Sequence, residues 1–315
     1  MFISFHMNRS VRSCRFLVLV ILLFAAPGSP AEMFRLATYN LESYLDVPTS
    51  TRPAKSPESK AMIRRSILAL KPDVLALQEL GSLKALLDLR DSLTSEGLDL
   101  PHWQFLSATD TNIHIALLSK FPFVASRPHT NDSFLLNGRR FHVSRGFAEV
   151  DIQPNSNFSF TLIAAHLKSR RALAQADESE FRLEEAKLLR GLIDERLDGN
   201  PNANLVVLGD FNDTKDSAST RTILGQGKTR LVDTRPAEST PADSRASEAS
   251  LSGRRVTWTH YFATEDAYRR IDFLLLSKAM ARAWIPSETY VLDIANWGLA
   301  SDHRPIVACF EARDQ

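Results

Sequence analysis

Side chains that can bind metal ions or transfer protons stand at the ends of several apolar segments of the sequence. They are Asn40 in LATYNL, Glu79 in VLALQEL, His166 in TLIAAHLKS, Asp210 and Asn212 in LVVLGDFND, Asp272 in RRIDFLLLS, and Asp302 and His303 in ASDHRP. We expect each to lie at the carboxyl end of a strand, where loops converge on one face. A single residue of this kind is usually a helix cap or a turn residue. The set as a whole predicts one shared site.

The donors in this set are carboxylate oxygens, amide oxygens and two imidazoles, with no thiolate among them. Such donors favour Mg²⁺, with Mn²⁺ or Ca²⁺ as alternatives, over zinc. A hard cation beside two histidines and the cationic Lys168 suits phosphate chemistry, because metal and lysine offset developing negative charge while a histidine moves a proton. The sequence therefore predicts a metal-assisted reaction on a phosphate-ester substrate.

These motifs, taken in order, resemble those of a known family. The residues that carry the resemblance are Asn40, Gln78-Glu79, His166, Gly209-Asp210-Phe211-Asn212, Asp272 and Ser301-Asp302-His303. Their order and spacing are similar to those of the endonuclease/exonuclease/phosphatase superfamily, which has the deoxyribonuclease-I-like fold. The resemblance runs from about Phe34 to Phe310. It implies a single-domain α/β sandwich of four layers, in which two packed mixed β-sheets are flanked by helices.

The resemblance also implies a role for each matching residue. The metal site would comprise Glu79 as principal ligand, Asn40 beside it, and Asp302 in contact with the metal shell or the phosphate. The catalytic set would comprise His166, Asp210, Asn212, Asp272 and His303. In this set, His166 would hydrogen-bond the scissile phosphate, while Asp210 and Asn212 would position the attacking water. Asp272 would orient the imidazole of His303.

Two groups are candidates for the general base that accepts the proton of the attacking water. His303 oriented by Asp272 is favoured, because an imidazole titrates closer to working pH than a free carboxylate does. The other candidate is Asp210. Asp272 also has a purely structural alternative, in which it pairs with the adjacent Arg269 or Arg270.

A basic cluster follows His166 in the segment HLKSRR. Lys168 and Arg170 are predicted to bind the phosphate or the rest of the substrate, and the alternative is a solvated loop before a long helix. Abasic-site endonucleases of this fold usually have Tyr at the position of His166, so the histidine favours the deoxyribonuclease, sphingomyelinase and secreted-nuclease branches. The aromatic residues near these motifs would either stack on bases or pack in the core; they are Trp258, Tyr261, Tyr268 and Trp297.

The leading hypothesis is a Mg²⁺-dependent phosphodiesterase similar to secreted bacterial nucleases, in which water attacks phosphorus in line. The alternatives are a phosphomonoesterase, a phospholipid diesterase similar to sphingomyelinase and, less favoured, a binding protein that has lost catalysis. Nucleic acid is one candidate substrate, and the sequence implies no stable protein partner.

Apolar periodicity predicts the elements that position these residues. Strands are predicted at 34–41, 74–78, 103–107, 113–119, 141–152, 158–166, 204–208, 256–259, 270–276, 288–294 and 305–311, and helices at 58–71, 82–93 and 173–198. Strands and helices do not alternate regularly, which favours two stacked sheets with helices outside, in one domain at 32–315. Residues 234–255 have few apolar side chains and are predicted to form a flexible surface loop.

Composition limits the class of protein. The chain has 315 residues, of which 44% are apolar and 24% charged, as in ordinary globular proteins. Collagen-like and acidic disordered proteins are excluded. The formal net charge is +1, so a strongly basic nucleic-acid-binding protein is not indicated.

Residues 1–31 have the features of a secretory signal peptide. Three arginines precede the apolar run FLVLVILLFAA, and small residues follow it. The eleven-residue run is too short to cross a bilayer as a helix. We therefore predict export to the periplasm or the medium, with no transmembrane segment after cleavage. The exported chain would keep one cysteine, Cys309, which excludes an intrachain disulfide.

Overall fold

The computed structural model describes residues 1–2, 32–239 and 256–312. The chain divides into two units, Met1–Pro30 and Ala31–Gln315, and the second carries every strand and helix that the described residues form. Residues 3–31 and 240–255 lie outside the described residues. The predicted signal peptide and most of the predicted loop at 234–255 therefore stay predictions.

Seventeen strands and five helices are formed in the described part of the chain. The strands are β1 (Glu32–Tyr44), β2 (Val74–Leu80), β3 (His102–Leu106), β4 (His114–Ser119), β5 (Phe123–His129), β6 (Ser133–Leu136), β7 (Arg139–His142), β8 (Phe147–Asn155), β9 (Phe158–His166), β10 (Leu205–Asp210), β11 (Val232–Asp233), β12 (Ala237–Ser239), β13 (His260–Phe262), β14 (Ala267–Arg269), β15 (Asp272–Leu276), β16 (Trp284–Leu292) and β17 (Ile306–Ala312). The helices are α1 (Pro57–Leu70), α2 (Leu83–Ser95), α3 (Glu178–Gly199), α4 (Ala218–Leu224) and α5 (Met280–Ala283).

Two mixed sheets form the centre of the fold. The first sheet has seven strands in the order β12-β16-β17-β1-β2-β4-β3, and the second has six in the order β11-β15-β10-β9-β8-β5. In each sheet the central pair is parallel, β1 with β2 and β9 with β10. Parallel neighbours end at the same edge of a sheet, so the two carboxyl ends of each pair lie side by side at that edge.

The alternation of side chains along each strand creates four layers. In β1, Leu36 faces the second sheet, whereas Ala37 faces α1 and α2. In β10, Leu208 faces the first sheet, whereas Val207 faces α3 and α4. Because both faces of the inner strands are covered, β2, β4 and β10 are buried along almost their whole length, whereas the edge strand β5 alternates between half-buried and exposed residues. The predicted four-layer α/β sandwich in a single domain is confirmed.

Local sequence signals set the helix boundaries. Ser56 caps α1 by accepting a hydrogen bond from the amide of Ser59, and Pro57 occupies the first turn as expected. The predicted helix at 173–198 begins later, at Glu178, because Asp177 caps it by accepting from two backbone amides. A polar cap before the apolar periodicity begins determines the start of the helix.

Three predicted elements differ from the structure. The strand predicted at 141–152 is divided between β7 and β8, because Gly146 adopts a φ of +69° between them. Residues 256–259 form only an isolated bridge, at Val256. Within the predicted loop at 234–255, residues 237–239 form the edge strand β12, which pairs in parallel with β16. No helix among the described residues is long and apolar enough to span a membrane.

Candidate active site

The predicted site residues meet at one end of the sandwich. The four from the parallel strands lie at carboxyl ends, Asn40 and Glu79 in the first sheet and His166 and Asp210 in the second. Asn212 follows β10 and also meets this expectation, but the expectation is wrong for Asp272, Asp302 and His303. Asp272 is the first residue of β15, and Asp302 and His303 precede β17. These strands run antiparallel to β10 and β1, so their amino ends reach the same place.

Asp272 and His303 form a buried pair. His303 Nδ1 lies 2.8 Å from Asp272 Oδ2, and both side chains are almost inaccessible to solvent. The alternative pairing of Asp272 with Arg269 or Arg270 is wrong, because Arg270 binds Asp233 and Arg269 binds Glu265. The sequence-based expectation that Asp272 orients the imidazole of His303 agrees with this geometry.

Asp210 lies at the centre of the site. Its Oδ2 accepts a hydrogen bond from Asn40 Nδ2 at 2.9 Å and lies 3.8 Å from His303 Nε2. Its Oδ1 accepts from the backbone amide of Asn212 at 2.8 Å. Burial raises the pKa of Asp210 to about 7, and the charge of Asp272 adds to this rise while the charge of His303 opposes it. Asp210 can therefore gain or lose a proton near neutral pH.

The two histidines differ in charge state. Burial alone would lower the pKa of His303, but the charges of Asp272 and Asp210 outweigh it and hold this pKa well above its ordinary value. Burial and the nearby charge of Arg145 keep the pKa of His166 well below its ordinary value. His303 is therefore cationic, whereas His166, whose Nε2 lies 3.4 Å from Asp210 Oδ2, is a neutral imidazole.

Glu79 stands between the two sheets with one carboxylate oxygen available. Its Oε2 accepts hydrogen bonds from the amide and the hydroxyl of Ser43 at 2.8 and 3.2 Å. Its Oε1 lies 3.9 Å from His166 Nε2 and, within the described residues, accepts no hydrogen bond. The backbone of Glu79 has a φ of +66°, in the left-handed region. Strain of this kind persists where the surrounding structure holds a side chain in a required direction.

The two candidate substrate-binding residues after His166 occupy different places: Lys168 lies outside the cleft, whereas Arg170 lines it. The Lys168 ammonium is buried and donates to the carbonyls of Ser169 and Arg171 at 2.9 and 2.7 Å, and it does not line the cleft. Lys168 therefore stabilises the loop in which it lies. Its ammonium is not placed for the predicted contact with phosphate. Arg170 does line the cleft, where it is half-exposed and binds Asp213 at 2.9 Å.

The aromatic residues considered as stacking partners pack on one another. Trp258 lies edge-on to Tyr268 and Trp297, with ring centroids 4.8 and 5.1 Å apart. The Arg304 guanidinium covers the ring of Trp258 at 3.5 Å. None of the four lines the cleft in the described part of the chain, which favours the packing alternative.

A sequence profile of the Endonuclease/Exonuclease/phosphatase family matches residues 37–303, the segment that builds both sheets and the site. The chain belongs to this family. Membership makes it a phosphoric ester hydrolase, with which dependence on a divalent metal is consistent. No curated protein shows significant similarity to the sequence.

Solved structures share the family fold at low sequence identity. The human Nocturnin catalytic domain with bound sulfate is 19% identical with a TM-score of 0.60, covering 89% of this chain and 97% of that one. Sphingomyelinase C from Streptomyces griseocarneus is 18% identical with a TM-score of 0.59, covering 90% and 100%. The family protein from Bacteroides vulgatus is 17% identical with a TM-score of 0.60, covering 90% and 100%. At these identities the likeness establishes the fold alone.

The site of this family member opens into a cleft of about 1030 Å³, and half of the cations that line it carry no sequence motif. Besides Arg170, five cationic side chains line it: Arg52, Lys55, Arg145, Arg171 and Arg269. Arg52 Nη1 is buried without a hydrogen-bond partner, 3.9 Å from Glu79 Oε2. Sequence reasoning missed Arg52, Lys55 and Arg145, because they carry no motif and come from segments separated widely along the chain; Arg171 and Arg269 lie in segments that it considered. His260 was also missed; its Nε2 lies 3.5 Å from Asp302 Oδ2.

The donor set around Glu79 fits a hard divalent cation. Glu79 offers a carboxylate oxygen to the cleft, and no thiolate lies among the described residues that line the cleft. Asn40 does not line the cleft, and its amide oxygen accepts a hydrogen bond from the amide of Glu42 at 3.0 Å. Carboxylate and amide oxygens are the ligands that Mg²⁺ and Ca²⁺ prefer. Asp302 is turned toward His260 and His303 rather than held against Glu79.

Proposed function

We propose that this protein is a Mg²⁺-dependent phosphodiesterase with nuclease-like activity, exported to the periplasm or the medium. The observation that carries the proposal is the buried constellation of Asp210, Asp272 and His303 beside the available oxygen of Glu79. It combines a proton acceptor that titrates near pH 7, a fixed cation and a metal ligand in one cleft.

Asp210 is the better candidate for the group that accepts the proton of the attacking water. A general base works best when its pKa lies near the operating pH, and the pKa of Asp210 is about 7. His303, favoured by sequence, is cationic in its bond with Asp272 and suits stabilisation of developing negative charge. Asn212 supports Asp210, since its backbone amide and its Nδ2 both donate to that carboxylate.

Glu79 would hold the metal, which when bound would polarise a phosphoryl oxygen and stabilise the charge that develops on it. Neutral His166 would donate a hydrogen bond to the phosphate from its Nε2, the nitrogen nearest Asp210. Arg52 would supply a further donor, because its Nη1 is desolvated and without a partner.

The cations that line the cleft favour a substrate with more than one phosphate. Arg170 and Arg171 lie on the loop after β9, and Arg269 ends β14. Six cationic side chains line the cleft in all, more than a single phosphate needs. A polynucleotide offers several phosphates to such a cleft, whereas a phosphomonoester or a single choline phospholipid offers one.

The test is hydrolysis of a substrate panel by the purified protein with Mg²⁺ and with EDTA. The panel contains bis-p-nitrophenyl phosphate, p-nitrophenyl phosphate, single- and double-stranded DNA, RNA and sphingomyelin. We expect Mg²⁺-dependent cleavage of the diester and of nucleic acid, falling with salt. Preferred hydrolysis of the monoester or of sphingomyelin would replace the nuclease proposal by the corresponding alternative. Absence of turnover on every substrate would favour the binding protein.

Export is proposed from the basic, apolar and small-residue pattern of residues 1–31. Amino-terminal sequencing of the periplasmic or secreted protein should give a start near Glu32. Recovery of soluble cytosolic protein that still begins at Met1 would contradict export.

A further inference from the structure

The hairpin of β13 and β14 presents one face to the cleft. In its antiparallel register His260 lies opposite Arg269, and Phe262 lies opposite Ala267. Residues opposite each other in an antiparallel pair share a face of the sheet, as do residues two apart along a strand. His260, Phe262 and Arg269 are therefore on one face, and all three line the cleft.

The other face of the hairpin is held by aromatic packing. The rings of Tyr261 and Tyr268 stack with their centroids 4.6 Å apart, and Trp258 packs against Tyr268 at 4.8 Å. The Tyr261 hydroxyl donates to Oδ1 of Asp266, in the turn of the hairpin, at 3.0 Å. These contacts fix the hairpin from behind. The position of its cleft face is therefore set before a ligand arrives, which lowers the entropic cost of binding.

Packing inside the protein covers the ring of Phe262 only in part. The residue is 37% exposed, and its cross-strand partner Ala267 has only a methyl group with which to cover it. The His260 ring is nearly parallel to that of Phe262, with centroids 6.2 Å apart. Most of the described residues that line the cleft are charged or polar, and among them Phe262 carries the one benzene ring. It therefore offers a flat apolar surface to a ligand.

Phe262 lies close to the groups proposed to act on the phosphate. The His260 ring, which neighbours it, lies 4.5 Å from the ring of His303, centroid to centroid. Arg269 stands on the same face of the hairpin and adds a positive charge. A ligand that contacts both Phe262 and these groups must combine a phosphate with a flat apolar ring near it. A nucleotide has this combination, whereas a choline phospholipid has the phosphate without the ring.

We propose that Phe262 is a specificity-determining residue, on which a base of the substrate stacks next to the phosphate that is cleaved. The inference rests on the proposed function and narrows its substrate to diesters that contain a nucleotide. Every base has a π-face, so stacking recognises the presence of a base and not its identity. The hairpin therefore favours nucleotides without a preference for sequence.

The experiment compares diesters that differ only in the base. The substrates are the p-nitrophenyl esters of thymidine 5′-phosphate and of thymidine 3′-phosphate, each paired with a counterpart in which hydrogen replaces the base. The two esters place the base on either side of the phosphate, and the leaving group is the same throughout. With Mg²⁺, kcat/KM of the wild type should favour the base-bearing member of at least one pair by about 5–100-fold, the range expected for one stacked base.

Variants of Phe262 test whether its ring causes this preference. Phe262→Ala should bring the ratio of the two kcat/KM values close to 1, whereas Phe262→Trp, which keeps a flat ring, should retain the preference. Tyr268→Ala is the matched control, because it removes an exposed ring of the same hairpin that does not line the cleft. It should leave the ratio unchanged. An equal loss of preference in Tyr268→Ala would assign the effect to packing of the hairpin and overturn the proposal.

A binding measurement keeps failure of this inference distinct from failure of the proposed function. Calorimetry of the dinucleotide thymidylyl-thymidine in EDTA, where metal-assisted hydrolysis cannot proceed, should show weaker binding to Phe262→Ala than to the wild type. If no diester is hydrolysed, the phosphodiesterase proposal fails, and this binding result decides the base contact by itself.

Three results would overturn the inference while leaving a phosphodiesterase. The first is equal rates of the wild type on the base-bearing and baseless members of both pairs. The second is equal binding of the dinucleotide by the wild type and Phe262→Ala. The third is loss of sphingomyelin hydrolysis in Phe262→Ala without any effect of the base, which would assign the ring to an acyl chain.

Discussion

At the scale of single residues, Glu79 combines a left-handed backbone with a carboxylate oxygen that is available to the cleft. The left-handed φ of +66° directs its side chain between the sheets, where Ser43 holds one oxygen and the other is available. The residue therefore has the geometry expected of the principal metal ligand.

Replacing Glu79 by Gln is expected to lower the rate by two or more decades. The substitution keeps the size of the side chain but removes the charge that a hard cation requires. Rates on bis-p-nitrophenyl phosphate should be measured against Mg²⁺ concentration, with Glu265→Gln, a half-exposed acid at the cleft rim, as the matched control. Undiminished activity of the Glu79 variant, or of the wild type in EDTA, would refute the assignment.

The Asp272 and His303 pair is expected to behave as one unit. Asp272→Asn should leave the protein folded and lower the rate by several decades, and adding His303→Ala should cost little more. The measurement is a double-mutant cycle on a diester at saturating Mg²⁺. Losses that simply add in free energy would show that the 2.8 Å contact has no catalytic consequence.

The residues that the sequence could predict are those that carry a motif. Asp210 and His303 lie in the short runs Gly-Asp-Phe-Asn and Ser-Asp-His, and both lie in the site. Lys168 lies in such a run as well, but its ammonium is bound by carbonyls of its own loop, and nothing in the sequence indicates where a flexible side chain ends. His260, at the start of β13, and Arg52, in the loop before α1, reach the cleft only through the tertiary fold, which spacing along the chain cannot predict.

At the scale of elements, the parallel strands β9 and β10 approach unusually closely at one position. Gly209 adopts a φ of +126°, and a Cβ there would lie 2.0 Å from the carbonyl oxygen of Ala165. This approach brings the next residue of each strand, Asp210 and His166, to the same edge in register. The backbone at this position of the Gly-Asp-Phe-Asn motif therefore requires glycine, because a side chain would clash with β9.

Gly209→Ala is expected to lower the free energy of unfolding by roughly 3 kcal/mol, because the clash adds to the cost of a φ that L-residues avoid. The melting temperature should fall by about 6–12 °C. Gly191→Ala is the control, since a Cβ at that position in α3 meets nothing within 4 Å and alanine favours helix. Equal melting temperatures for the two variants would contradict the close approach of β9 and β10.

Strands with strong apolar patterns were predictable, and elements fixed by caps or partners were not. The predicted strand at 158–166 has the observed bounds of β9. β12 was missed because Ala237–Ser239 has no apolar alternation and forms only by pairing with β16. The start of α3 was predicted too early, at residue 173, because the apolar pattern extends to residues that precede the capping Asp177. Apolar periodicity does not show strand pairing between distant segments or the capping of a helix end, and these two features determine the elements that were missed or misplaced.

At the scale of the whole molecule, a buried charge cluster joins the second sheet to the helices that cover it. Glu149 of β8 has no exposed side-chain area and binds Arg127 of β5 and Arg196 of α3, each at 2.7 Å. His129 Nε2 lies 2.9 Å from its other oxygen. One carboxylate thus connects the edge strand, an inner strand and the outer helix layer, and none of these residues lines the cleft.

This cluster predicts how stability depends on pH. Burial alone would raise the pKa of Glu149, but the hydrogen bonds from His129, Arg127 and Arg196 outweigh it and lower the pKa from 4.5 to about 2. A carboxylate whose pKa is lower in the folded state stabilises the fold at pH values above its unfolded pKa. That contribution, on the order of 2 kcal/mol after screening by solvent, is lost as the pH falls from about 4.5 toward 2.

Glu149→Gln should therefore be least stable relative to the wild type at neutral pH, and the difference should shrink as acid protonates the wild-type carboxylate. Urea unfolding of both proteins between pH 7 and pH 3 measures this. Glu195→Gln, an exposed acid of the same helix layer, is the control and should follow the wild type at every pH. Because the cluster lies away from the cleft, the Glu149 variant should keep its rate on a diester per folded molecule. A constant stability difference across the whole pH range would mean that the charge of Glu149 does not hold the helix layer to the sheet.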